Sequence, residues 1–356
     1  MILAMSDFQI IDPHIHYWDP HTTPRSVSKA VKLLGRFPIL LDRLIRLAMP
    51  NATVNYFGST TLFTEPFTPD VYFSEAGRYR DRIKGVVHIQ ADWQAKKPTD
   101  FAQETAWLDR LNRPPLAVIG EARLDKLDHL DAVLNAHEAA SNRFRGIRDM
   151  LAHHQSKSIH NFNETEKLMQ SENFRSGFAR LGERGLSYDA FIYSPQLPDL
   201  CDVVEAIPTT SIVVDHMATP VGLMGAFGEV GTTSSLREQI KIEWMNGLQR
   251  LAQSDHVHIK LSGMFMHVLG WDYHNWPEGR LSADDVVEKI GPYVQFMLDT
   301  FGVDRCMFAS NFPPDRVLMQ FDTYYDACFK MVEHLSLADQ KKLFHDNAAR
   351  FYRIES

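Results

Sequence analysis

Cysteine is scarce. The 356-residue chain has three, Cys201, Cys306 and Cys328, too few and too scattered for a disulfide framework. They are expected as small core residues of a protein in a reducing compartment, which points to the cytoplasm. No run of about 18 uncharged apolar residues occurs, so no membrane-spanning helix is expected. The first residues show no basic stretch leading into an apolar one, so no signal peptide is expected either. A basic face is also missing. The net charge is −8, with charges of both signs scattered along the chain, which argues against a nucleic-acid partner. There is no internal repeat, no low-complexity tract and no Pro/Gly-rich linker, so one folded unit over residues 1–356 is expected.

What is present is an ordinary apolar content, 44%, arranged as short β-branched runs alternating with longer amphipathic stretches. Eight strands are predicted: Phe8–Ile11, Lys84–Ile89, Leu116–Ile119, Phe144–Arg148, Ser187–Phe191, Ser211–Val214, Val257–Leu261 and Cys306–Ala309. Helical patterns fall at Asp100–Leu111, Leu127–Arg143, Asn163–Arg184, Leu236–Gln253 and Asp284–Phe301. Such alternation implies βα units and a parallel sheet. Eight units without a dividing linker favour closure into a (β/α)8 TIM barrel. Two stretches exceed the minimal pattern. Residues 21–79 form a predicted helical insertion after strand one, a lid or a subunit contact in a homodimer. Its start, Ser26–Met49, mixes basic and apolar residues and would also suit a membrane surface, but Pro38 interrupts that pattern and no membrane partner is expected. Pro220–Ser235, rich in Gly, Thr and Ser, reads as a mobile loop over the barrel mouth.

An α/β barrel places its chemistry at the carboxyl ends of its strands. His14 and His16 follow strand one at a spacing that puts both imidazoles on one side of an extended chain. The other strand ends carry His88, Gln90 and Asp92; Glu121 and Arg123; Arg145, Arg148 and Asp149; Tyr193; Asp215 and His216; Lys260 and Ser262; and Ser310, Asn311 and Asp315. Some of these, Asp149, Asp215 and Ser262 among them, can be helix caps or turns. Three histidines, His14, His16 and His216, suit a divalent transition metal such as zinc or manganese. Without metal they could hold a substrate carbonyl while a carboxylate activates water. Arg123, Arg145 and Arg148 cluster after strands three and four, and Lys260 could join them. Arginine forks bind carboxylates, so a small anionic substrate is expected. The alternative is an ion-pair ring with Glu121, Asp125 and Asp149. His88 is a further candidate for substrate contact.

The residues Asp12-Pro13-His14-Ile15-His16-Tyr17-Trp18-Asp19, Arg145-Gly146-Ile147-Arg148, Val213-Val214-Asp215-His216, Lys260-Leu261-Ser262-Gly263, Met307-Phe308-Ala309-Ser310-Asn311-Phe312-Pro313 and Asp346-Asn347-Ala348-Ala349-Arg350-Phe351-Tyr352 together resemble the amidohydrolase superfamily. The likeness is to amidohydrolase-related family 2, in its metal-dependent-hydrolase branch of TIM-barrel lactonases. The resemblance implies hydrolysis of lactones from sugar acids or aromatic breakdown, with more distant relatives decarboxylating aromatic acids. It implies His14, His16 and His216 around the reacting carbonyl, Arg148 on the substrate carboxylate, and Tyr193 or Lys260 as further contacts. Some such relatives bind zinc or manganese and others work without metal.

One position departs from that pattern. Where the resemblance implies an aspartate after strand eight, this chain has Asn311, whose amide takes up no proton near neutral pH. Asp315, four residues on, is the candidate to replace it as proton carrier. The expectation is therefore a single-barrel hydrolase opening a carboxylated lactone. Its rivals are a decarboxylase on the same fold and a non-catalytic small-molecule binding protein.

Overall fold

The computed structural model describes residues 8–272 and 281–355. Eight parallel strands pair in chain order: β1 (Ile10–Ile15), β2 (Ile83–Ile89), β3 (Ala117–Glu121), β4 (Phe144–Arg148), β5 (Ser187–Ala190), β6 (Ile212–Val214), β7 (Val257–Leu261) and β8 (Cys306–Phe308). The residues after β8 close the ring on β1, with Asn311 N donating to His14 O at 3.0 Å and His16 N to Phe312 O at 3.0 Å. This is the expected (β/α)8 barrel. Its lower interior is apolar: Ile11, Val87, Ile89, Ala117, Ile119, Val213 and Met307 pack together, plugged by Phe351 and Tyr352 at the end of the terminal helix α14 (Asn347–Phe351) and just after it.

β1 runs four residues beyond its predicted end, so His14 lies within the strand. Ile11 faces the barrel interior, whereas Ile15 packs in the outer layer against the helices. Strict alternation would place both on one face. The register of β1 on β2 shifts between Asp12 and Ile15, around Pro13, which has no amide hydrogen for the ladder. A shift of one residue exchanges the two faces of a strand. It turns His14 and His16 inward.

The insertion between β1 and β2 holds five helices: α1 (Ser28–Leu34), α2 (Pro38–Ala48), α3 (Asn51–Phe57), α4 (Thr61–Thr64) and α5 (Pro69–Glu75). It is stapled to the barrel by Trp18, whose backbone bridges Phe67 and whose indole donates to Glu65 O at 2.9 Å. Leu41 and Ile45 are buried with Val27, Val31 and Phe63. Leu33, Ile39, Leu40, Leu44 and Leu47 are exposed, Leu33 and Leu47 at 78% and 85%. The insertion lines the cavity at the mouth through Arg25, Ser26 and Met49 and through α3 and the residues after it.

The outer helices are α6 (Ala102–Asp109), α7 (Leu127–Ala140), α8 (Glu172–Glu183), α9 (Leu197–Ala206), α10 (Ser234–Leu251), α11 (Ala283–Phe301), α12 (Phe321–Met331) and α13 (Leu337–Lys341), which leads through a π-helical turn into α14. α8 starts nine residues later than its apolar periodicity suggested, because Ser171 caps it by accepting from Phe174 N at 3.2 Å. The loop after β6 is pinned to the loop after β7 by Gly222 N to Val268 O at 3.0 Å and Met224 N to Leu269 O at 2.8 Å. Among the described residues, no helix is long and apolar enough to cross a membrane. All three cysteines are free and buried.

Candidate active site

The inward turn of β1 brings three imidazoles together above the apolar plug. His14 Nε2 and His16 Nε2 are 3.2 Å apart, and the rings of His14 and His216 lie 4.3 Å centroid to centroid. Each ring is anchored through its other nitrogen. His16 Nδ1 is 2.8 Å from Ile89 O, which can only accept, so Nδ1 carries the proton and Nε2 a lone pair. His216 Nδ1 is 2.9 Å from Ser262 Oγ. His14 Nδ1 lies 3.2 Å from Asp215 Oδ1. His216 sits in left-handed backbone (φ 53°), a conformation that costs free energy and recurs at functional sites. Gly263, at φ +65°, leaves room for it: a Cβ there would stand 2.5 Å from that of His216.

Below the imidazoles is a layer of buried charge. Lys260 Nζ donates to Asp189 Oδ2 at 2.6 Å, contacts Asp215 Oδ1 at 3.0 Å and reaches His14 Nδ1 at 3.1 Å. Tyr352 Oη also donates to Asp189, at 2.7 Å. Burial alone would raise the Asp215 carboxyl, but the Lys260 ammonium and His14 hold it well below its ordinary range. Burial, reinforced by nearby positive groups, keeps His14 and His16 well below the usual imidazole value and lowers His216 to about 3. All three are therefore neutral, the state in which imidazole binds a metal or accepts a hydrogen bond.

These residues fit a divalent cation. His14, Asp215 and His216 offer ligand atoms within 4.8 Å of one another, His16 adds a free Nε2, and the anchors on the far nitrogens are those that orient metal-binding histidines.

Arg148 stands beside this centre. Its Nη2 donates to Gln90 O at 2.7 Å, and its Nη1 is 3.5 Å from His14 Nε2 and 3.9 Å from Asp215. It lines a cavity together with His16, His216, Glu121, Arg123 and Asn311. Arg123 is already paired, with Asp149 at 2.9 Å and Glu121 at 3.1 Å, so the ion-pair alternative describes it. Glu121 is buried in the cavity wall, and that burial pushes its carboxyl up to about 8.

Other expected contacts lie outside the cavity lining among the described residues. Arg145 is skipped where the β3–β4 register steps from Phe144 to Gly146, and its guanidinium turns back to Asn142 O and Phe144 O. His88 alternates outward from Val87 and Ile89, accepting from Tyr17 N at 3.0 Å with Glu104 3.6 Å away. Lys260 is sealed behind His14 by its two carboxylates. Tyr193 donates to His160 O at 2.6 Å and so supports a loop whose His160 does line the cavity. Asp315 is fully buried with both oxygens engaged, accepting from Phe265 N at 3.1 Å and Asn311 Nδ2 at 2.8 Å. Burial raises it to about 7. Sequence reasoning passed over Asp215 as a capping residue. Its position directly before His216, after an apolar strand, was the available signal.

The amidohydrolase family model matches residues 11–354, and the chain belongs to that family. Membership places it among hydrolase-type enzymes. A Sinorhizobium fredii protein, y4mH, described only as uncharacterized, is 31% identical over 98% of this chain and 100% of its own length. L-fucono-1,5-lactonase of Burkholderia ambifaria is 28% identical over 48% of this chain and 51% of its own. Among solved structures, an amidohydrolase from Burkholderia multivorans with bound zinc shares the fold at a TM-score of 0.69 and 22% identity, covering 98% of this chain and 100% of that one.

Proposed function

We propose that the protein hydrolyses the ester bond of a carboxylated lactone at the histidine centre. The observation that carries this is the convergence of His14, His16 and His216, of which His16 and His216 line a cavity that Arg148 also lines. Arg148 holds the anionic group of the substrate, while the imidazoles face the lactone carbonyl. A divalent cation held by His14, His16 and His216, with Asp215 behind them, would supply Lewis acidity to that carbonyl.

Glu121 is the proton carrier in this reading. It lines the cavity, whereas Asp315 does not reach it. Water adds to the carbonyl carbon as Glu121 takes its proton; the ring C–O bond then breaks and the proton passes to the leaving oxygen. Asp315 is a positioning residue. It takes one amide hydrogen of Asn311, and Asn311 stands in the cavity wall as a neutral hydrogen-bonding group. Acid release from a library of carboxylated lactones, measured beside the metal content of the purified protein, tests the reading. Release of carbon dioxide from aromatic acids, with no lactone opened, would favour decarboxylation instead.

A further inference from the structure

The cavity has a volume of about 500 Å3, within the range of pockets that enclose small organic ligands. Its lining is of two kinds. The strand ends supply His16, His216, Glu121, Arg123 and Arg148. Another part of the lining is an aromatic and aliphatic cluster: Tyr56, Phe57, Leu62 and Phe63 from the insertion, with Phe162 packed on Tyr56 and on Phe191. A sugar lactone carries a hydroxyl on nearly every carbon, and each one buried without a partner costs free energy. This wall suits an aryl or alkyl surface.

Beside this wall, where Thr53 and His160 add polar atoms, stands a buried cation. Arg25, in the insertion, is buried at 7% exposure and lines the cavity. Its guanidinium lies over the Trp18 ring, 4.3 Å from the centroid. Nη1 donates to Ala91 O, and Nη2 is a loose 3.9 Å from Asp92. Arg148 is tied to Gln90 O, so the two guanidiniums are pinned to consecutive carbonyls just past β2. Each keeps a buried Nε–H without a hydrogen-bond partner. Two buried cations that line one cavity, each with a donor no protein group takes up, favour an anion there.

We propose that Arg25 is a second substrate-binding arginine, acting beside Arg148 on a carboxylate, and that the rest of the substrate is an aryl or branched-alkyl body. This deepens the hydrolase reading of the same site and rests on it. It also separates the chain from the sugar lactone named for the Burkholderia ambifaria relative.

The test uses phenylparaconate (a phenyl-bearing lactone carboxylate), its methyl ester, gluconolactone and galactonolactone. Turnover is followed by acid release and binding by calorimetry. The wild type is expected to prefer phenylparaconate over its ester and over both sugar lactones by on the order of ten- to hundredfold in kcat/KM. Arg25→Gln is expected to lose most of the acid-over-ester preference, through a raised KM for phenylparaconate. Arg25→Lys is expected to recover part of it. A preference for either sugar lactone, or no acid-over-ester preference in the wild type, overturns the proposal while leaving lactone hydrolysis standing. If no lactone is opened but phenylparaconate binds and Arg25→Gln weakens it, the hydrolase reading fails and the ligand class stands. The wild-type comparison needs no variant, so misfolding of Arg25→Gln cannot shield the proposal.

Discussion

Glu121→Gln should make the protein less active and, at alkaline pH, relatively more stable. The Glu121 carboxyl stands at about 8 against an ordinary 4.5, chiefly because burial disfavours its charged form. The folded state thus holds this proton more tightly than the unfolded chain. The stability it contributes is complete below about pH 4.5 and is lost as pH rises through about 8. At about 1.36 kcal/mol per pH unit, the 3.5-unit difference corresponds to about 5 kcal/mol. Glutamine has nearly the same shape and no proton to lose, so the variant lacks this loss. Asp315 titrates alike in both proteins and cancels. Urea unfolding of both at pH 4.5, 6, 7.5 and 9 should show the difference in stability moving in the variant's favour by up to about 5 kcal/mol. The same substitution should reduce lactone turnover by about 10²–10⁴-fold, and wild-type kcat/KM should rise with pH through about 8. A stability difference independent of pH, together with retained turnover, would refute the assignment of Glu121 as a buried proton carrier.

Arg148→Ala should raise KM or abolish turnover while circular dichroism stays native; an unchanged KM with a lowered melting temperature would assign Arg148 to structure alone. Asp315→Asn should cost less activity than Glu121→Gln, because Asp315 acts through Asn311; a loss near the full 10²–10⁴-fold of a missing general base would return the proton to Asp315. Lys260→Met should destabilise the fold by about 3–5 kcal/mol, since it leaves Asp189 and Asp215 buried without their cation; denaturant midpoints within error of wild type would contradict that layer of charge.

The fold was legible because each β-branched run is a strand buried on both faces, and such runs survive uncertainty of a residue or two at their ends. The site was legible only as far as strand parity could be followed. Arg145 and Arg148 were read together as one cluster, yet they stand three apart in one strand, and alternation leaves only Arg148 inside. His14 and His16 face inward through an irregularity at Pro13 that no periodicity announces. Asp315 carried the right chemistry four residues from Asn311, but the turn after β8 buries it against Phe265 N. Arg25 lay in an insertion whose apolar pattern hid its path to the cavity, since a long connection sets its contacts by tertiary packing and not by spacing along the chain.

The most direct test of the histidine centre is acid release from a carboxylated lactone by the wild type and by His216→Asn, each with its metal content and thermal stability measured. His216 packs on the His14 ring and meets Ser262 but is not part of the charged layer beneath. The variant should keep its fold and lose turnover by at least about 10²-fold. A folded His216→Asn that opens the lactone at the wild-type rate would contradict the assignment of catalysis to this centre.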